Sequence, residues 1–326
     1  MSLSVSRPIT QSPNHPILPS FLDLLPQTLI NGLTLGSVYA LIALGYAMVY
    51  GILRLLNFAH GDIYMIGAYM GYGALLLLST SEGLLLPAAL VIVGMLIVAM
   101  VGAGFVSVAV ERFAYRPLRY APRIAPLISA LGVSLILQNL VQITVGPRPL
   151  SYGADTLFPP DAGYVIGDLR LSAARGLVIG VTLLLMIALA YFVRSTRLGR
   201  AMRAVSMDLD AAAMMGVDVN RVIVATFFIG AALAGAGGVL VGIVFYSIRH
   251  TMGFLAGLKG FTAAVIGGIG SVPGAAIGGL CLGLVEAFAS VYVSATFKDA
   301  IAFVLLVIVL LVRPSGLFGR AVVQKV

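Results

Sequence analysis

"LVIVGMLIVAMVGAGFVSVAV", residues 90–110, holds no charged side chain. A bilayer core needs about 20 consecutive apolar residues to be crossed by a helix, and this run has that length. A membrane barrel strand would instead alternate apolar and polar residues over about 10 positions. Backbone groups in hydrocarbon must also be satisfied within the segment, so the run is a helix. Comparable runs recur along a chain of 326 residues that is 60% hydrophobic and 10% charged, with a mean hydropathy of +1.07. Soluble domains carry about 25% charged residues. The expected fold is therefore all-α: a polytopic integral membrane protein of about 8–10 transmembrane helices. The spans form one integral transmembrane domain. The N-terminus has four Pro in its first 20 residues and lacks the basic and apolar regions of a cleavable signal peptide.

A net charge of +8 would suggest nucleic acid in a soluble protein, but here the basic residues cluster at span ends. Arg112, Arg116, Arg119 and Arg123 share one loop, and Arg194, Arg197, Arg200, Arg203 and Arg221 another; Arg313, Arg320 and Lys325 lie near the C-terminus. The positive-inside rule puts all three regions in the cytosol. Residues 146–172, with Asp155, Asp161 and Asp168, read as an external loop. The lone Cys281 excludes a disulfide framework.

An even number of crossings must separate the cytosolic loop ending at Arg221 from the cytosolic tail, yet hydropathy offers three blocks, near 222–246, 259–297 and 299–313. The middle one must break, and "GGIGSVPG" (267–274) supplies the punctuation at Gly267, Gly268 and Gly270. In the N-terminal half, "YGILRLLNFAHG" (50–61) interrupts an apolar run in the same way. Paired interruptions in corresponding halves point to discontinuous helices at a transporter's binding site near the midplane. Asn57, His60 and Asp62 then either border a water-filled path or occupy a loop at the membrane surface, with Asp62 near a helix N-terminus. Glu286 is either a path residue or a buried interhelical tether.

In the loop "RLGRAMRAVSMDLDAAAMMGVDVNRV" (197–222), Leu209, Ala212, Ala213 and Gly216 recur at helical spacing. Asp208 is placed to cap the start of this helix and Gly216 to end it in a left-handed turn. A short helix with a small-residue and Met surface suits docking in another protein's groove. Exposed acids at Asp208, Asp210 and Asp218 argue against rest on anionic headgroups.

"DAAAMMG" (210–216) resembles the EAA motif of ABC-importer permeases, with Asp210 in place of the usual Glu and without the apolar and Pro continuation seen in many of them. "NGLTLGSVYALIALGYAMVYGILRLLNFAHGDIYMIGAY", "ERFAYRPLR", "LISALGVSLILQN", "FTAAVIGGIGSVPGAAIGGL" and "RPSGLFGR" are similar, in order and spacing, to the H-type permease of branched-chain amino-acid ABC importers. The resemblance runs from about Gln27 to the C-terminus, which bounds the transmembrane domain at residues 27–326 and leaves residues 1–26 as an N-terminal extension. It implies a multi-pass subunit of the bacterial inner membrane that moves leucine, isoleucine or valine by alternating access. It also implies a homologous M-type permease, two ATP-binding subunits and a periplasmic substrate-binding protein as partners. The segment Asp208, Leu209, Asp210, Ala211, Ala212, Ala213 and Gly216 would then be the helix that couples to the ATPases. The chain contains no GxxxxGK[ST] phosphate loop, and no cofactor or metal is expected on it; ATP is used by the partners. Neither GxSxG nor HExxH is present, which disfavours an intramembrane enzyme. The rival functions are a same-family permease for urea, short amides or another amino acid, and an ion-coupled transporter using His60 and Asp62 as a relay.

Overall fold

The computed structural model describes residues 21–80, 83–119, 121–122, 124–153, 157–158, 163–166 and 169–319. Residues 1–20 of the expected extension lie outside these, as do Arg123, Asp155, Asp161, Asp168, Arg320 and Lys325. The helices are α1 (Phe21–Leu53), α2 (His60–Leu77), α3 (Ala88–Val110), α4 (Ile124–Thr144), α5 (Ala173–Ser195), α6 (Arg197–Met207), α7 (Leu209–Met214), α8 (Val219–Phe245), α9 (Met252–Gly267), α10 (Val272–Ala289) and α11 (Lys298–Val312). Residues 21–26, read from sequence as part of the extension, are the first turns of α1. Three short antiparallel ribbons decorate the loops: β1 (Ser79–Thr80) with β2 (Gly83–Leu84), β3 (Leu150–Ser151) with β6 (Ser247–Ile248), and β4 (Gly163–Ile166) with β5 (Leu169–Ser172).

Among the described residues six helical stretches are long and apolar enough to cross a bilayer, belonging to α1, α3, α4, α5, α8 and α10. The shorter helices α2, α9 and α11 pack against them. Helices α1 and α8 form the centre: 83% and 78% of their most apolar stretches are buried, against 17% for α5 at the periphery. Hydrophobicity does not drive helices together in lipid, so close backbone packing at small residues does much of that work. Along α1 and α10 the fit is tight enough that a Cβ on Gly36 would lie 2.8 Å from Leu280 Cα.

The contacts sort the loops onto two faces, and the positive-inside rule assigns the arginine-bearing one to the cytosol. Arg119 donates to Asn220 Oδ1 at 2.6 Å, joining two arginine-bearing loops. The tail joins the same face, since Leu317 and Phe318 N–H groups donate to the carbonyls of Ile266 and Gly267 at 2.9 and 3.0 Å. On the other face the Tyr152 N–H donates to the Tyr246 carbonyl at 2.9 Å, next to the β3–β6 ribbon. Because α10 leaves from the arginine face and runs antiparallel to α1, with Gly32 beside Leu284 and Gly36 beside Leu280, α1 begins on the external side.

The first interruption is as expected: α1 stops at Leu53 and α2 starts only at His60. His60 packs against Gly45, eight residues or about 12 Å back along α1. The segment between therefore turns back into the bundle. The second break is also where Gly and Pro placed it, between α9, which ends at Gly267, and α10, which starts at Val272, but it is a connecting turn and not an inward dip. Residues 268–271 form a turn on the cytosolic face, with Gly268 and Gly270 at φ +108° and +87°. The inward-dipping counterpart of residues 54–59 is 246–251, between α8 and α9. It opens with Tyr246 at φ +58° and delivers the first turn of α9 onto Gly61 of α2.

Candidate functional site

The first turns of α2 and α9 meet inside the bundle. A Cβ on Gly61 would lie 2.6 Å from Gly257 Cα, and one on Gly253 would lie 2.6 Å from Asp62 Oδ1. Helices α6, α7 and α8, which start on the arginine-bearing face, carry side-chain N-caps from Thr196, Asp208 and Asp218. The interior helices α2 and α9 have none. Their positive dipole ends instead converge near Asp62, where a carboxylate is favoured. Asp62 is fully buried and accepts from the Ser134 hydroxyl and from Gln138 Nε2, the latter at 3.0 Å, so it also ties in α4.

Asn57 and His60 are buried as well, so none of the three side chains is solvated. The Tyr115 hydroxyl donates to Asn57 Oδ1 at 2.8 Å; a π-helical turn at Glu111–Tyr115 swings that tyrosine inward from the end of α3. His60 meets the Tyr46 ring edge-on at a centroid distance of 4.8 Å. Asn57 Nδ2, His60 Nε2 and the Tyr46 hydroxyl have no hydrogen-bond partner among the described residues.

Glu286 is a tether. It accepts from Lys259 Nζ at 2.7 Å and from the Tyr39 hydroxyl at 2.9 Å, while Lys259 also reaches Asp299 Oδ1 at 2.6 Å. One lysine thus links α9, α10 and α11, with α1 joined through Tyr39. Lys259 went unnoticed in the sequence although a lone lysine in an apolar run is itself a signal. Tyr152 was likewise passed over as part of an external loop. Its hydroxyl donates to the Ala68 carbonyl at 3.1 Å, nine residues or about 14 Å below the outer end of α2, so this segment plugs into the bundle.

Of the punctuating glycines, Gly267 packs on Gly274 beneath the tail, and Gly268 packs on Gly319 of the tail. Gly270 packs on Gly51, and both line a cavity of about 80 Å³ together with Met202, Arg203, Ser206 and Thr226. No group of three His, Cys, Asp or Glu side chains that could share a metal ion is found among the described residues.

Beside this cavity lies the cytosolic segment. Asp208 Oδ1 accepts from the N–H groups of Asp210 and Ala211, both at 2.9 Å. At the far end the Gly216 N–H donates to Ala213 and the Val217 N–H to Ala212, a Schellman closure with Gly216 at φ +83°. The ends match the expectation, and so does most of the face, since Leu209, Ala213 and Gly216 are exposed. Ala212 is turned into the protein's own bundle, and Met207, Met214 and Met215 stand out at 82%, 81% and 84% exposure, flanked by Leu209, Asp210 and Ala213.

The family described as "Branched-chain amino acid transport system / permease component" matches residues 28–310. The chain belongs to that family. The permease is 46% identical over 308 residues to the high-affinity branched-chain amino acid transport system permease protein LivH of Escherichia coli K12, covering 92% of this chain and 97% of LivH. It is 45% identical, over the same shares, to BraD of Pseudomonas aeruginosa. A more distant relative, the probable LivH of Methanocaldococcus jannaschii, is 27% identical over 298 residues. The match takes in both inward-dipping segments, the tether and α7. The permease is a multi-pass inner-membrane protein, a transport component rather than an enzyme.

Proposed function

We propose that this permease is the membrane-spanning subunit of a binding-protein-dependent ABC importer and carries leucine, isoleucine and valine by alternating access. Near full-length similarity to LivH and BraD is the observation that supports it most. In this reading the chain binds no cofactor. It assembles with an M-type homologue and two ATP-binding subunits, and receives substrate from a periplasmic binding protein. α7, held out on the cytosolic face by α6, takes up the motion of the ATPases. A branched-chain amino acid is a zwitterion with an apolar side chain, which suits a path of backbone dipoles and small apolar residues with few ions. Asn57, His60 and Asp62 border that path at the meeting of α2 and α9, with Gly270 at its cytosolic end. A proton relay is less well supported, because His60 packs toward Gly45 and Tyr46 whereas Asp62 turns to Ser134 and Gln138.

The test is uptake by the complete complex in proteoliposomes. Leucine accumulation should require both ATP and the binding protein; accumulation driven by an ion gradient without ATP would sink the proposal. Within that assay Asn57→Ala and His60→Ala should lower uptake at least several-fold at normal abundance. Tyr115→Phe removes the same hydrogen bond from the other side, at a cost of about 1–3 kcal/mol because it leaves the buried Asn57 Oδ1 without a donor, and should leave uptake near wild type. Equal losses in Tyr115→Phe and Asn57→Ala would mark Asn57 as structural only.

A further inference from the structure

A groove of about 680 Å³ runs along the outside of the bundle between α3, α5 and α8, walled by Phe105, Val108, Phe192, Val224 and Phe228. At its cytosolic end stand Arg116, Asn220 and Arg221. Phe105 meets Phe228 edge-on, with ring centroids 5.6 Å apart, and forms the inner end. From Arg116 to Phe105 is eleven residues of helix, about 16 Å, close to half of a hydrocarbon core about 30 Å thick. The groove therefore extends through one leaflet, cationic where headgroups lie and apolar where acyl chains lie.

We propose that this groove binds an anionic phospholipid of the cytosolic leaflet, with its phosphate at Arg116 and Arg221 and its acyl chains against Phe105, Val224 and Phe228. The charges at the mouth select the occupant. Arg116 has no acidic partner among the described residues. Arg221 has only the half-exposed Asp218, at 2.9 Å. The neighbouring Arg119 is already committed to Glu111 and Asn220. A second permease in the same membrane would bring its own positive rim to this depth, like charge against like, whereas a lipid phosphate is complementary. Arg221 opens α8 directly after the loop that follows α7, so the bound lipid steadies the base of the helix that contacts the ATPases.

The complete complex is purified and reconstituted in nanodiscs of phosphatidylcholine alone or of phosphatidylcholine with phosphatidylglycerol, and retained lipid and ATP-driven turnover are measured. Wild type should retain phosphatidylglycerol and turn over faster when it is present. Two basic side chains near an anionic lipid contribute about fivefold each, so Arg116→Gln with Arg221→Gln should bind it about twenty-five-fold more weakly and lose the lipid response. Arg116→Lys with Arg221→Lys should keep much of both. Ala225→Trp, which fills the apolar wall and leaves both arginines, should also expel the lipid. Wild-type retention by the glutamine pair would overturn the assignment. So would a cysteine at Phe228 that cross-links to the second permease, since the groove would then be a protein interface.

Discussion

Gly61→Val should all but abolish accumulation of the permease in the membrane. Gly61 Cα sits where the first turns of α2 and α9 touch, and even a Cβ there would press on the Gly257 backbone, 2.6 Å from its Cα and 2.9 Å from its nitrogen. Overpacking a core costs about 1–3 kcal/mol when side chains can shift. Here the obstacle is main chain on a helix that is itself held by Lys259, so the cost exceeds that range. Gly73 and Gly132 provide the control within the same residue type. A Cβ at either meets nothing within 4 Å, and both lie within helices, so Gly73→Ala and Gly132→Ala should be neutral or stabilising by up to about 1 kcal/mol. Immunoblots of membrane fractions and unfolding midpoints in detergent make the comparison. Normal accumulation of Gly61→Val would contradict the meeting of the two interrupted helices.

The second large effect is expected at Lys259. Removing one partner of a buried ion pair strands the other, at about 3–5 kcal/mol. Lys259→Ala strands Glu286, which is 2% exposed, whereas Asp299, at the start of α11, can still reach solvent. The lower part of that range follows, seen as a large drop in unfolding midpoint. Glu286→Gln should be much milder, because the amide keeps the Tyr39 hydrogen bond and Lys259 keeps Asp299. Removing both charges with Lys259→Met and Glu286→Gln should recover most of the loss, since apolar replacement of buried ion pairs is often neutral. A Lys259→Ala protein as stable as wild type would show that the tether holds nothing.

What the sequence disclosed divides along physical lines. Helices and their sidedness follow from runs of apolar residues and from arginines at their ends, both local and one-dimensional signals. The ends of α7 were equally plain, because a capping Asp208 and a left-handed Gly216 act within a single turn. The counterpart of the first interruption escaped notice because "FYSIRHT" (245–251) has neither Gly nor Pro. Its chain reversal rests on Tyr246 in the left-handed region, which composition does not advertise. The partners of Asp62 were also out of reach, since Ser134 and Gln138 lie 72 and 76 residues away. Periodicity found the stripe of α7 but not which of its members turns inward. Ala212 packs inward, and the methionines beside the stripe join the outward face.

That outward face carries the central claim, that ATP hydrolysis enters the membrane through α7. Met214 is its most informative position, 81% exposed and two residues before the closing glycine. With Cys281 replaced by Ser, a single cysteine at Met214 should cross-link to an ATP-binding subunit in the assembled complex. It should be shielded there from a bulky thiol reagent that labels the permease alone. A Met214 cysteine that labels freely in a transport-competent complex, and forms no cross-link to either ATP-binding subunit, would contradict the account.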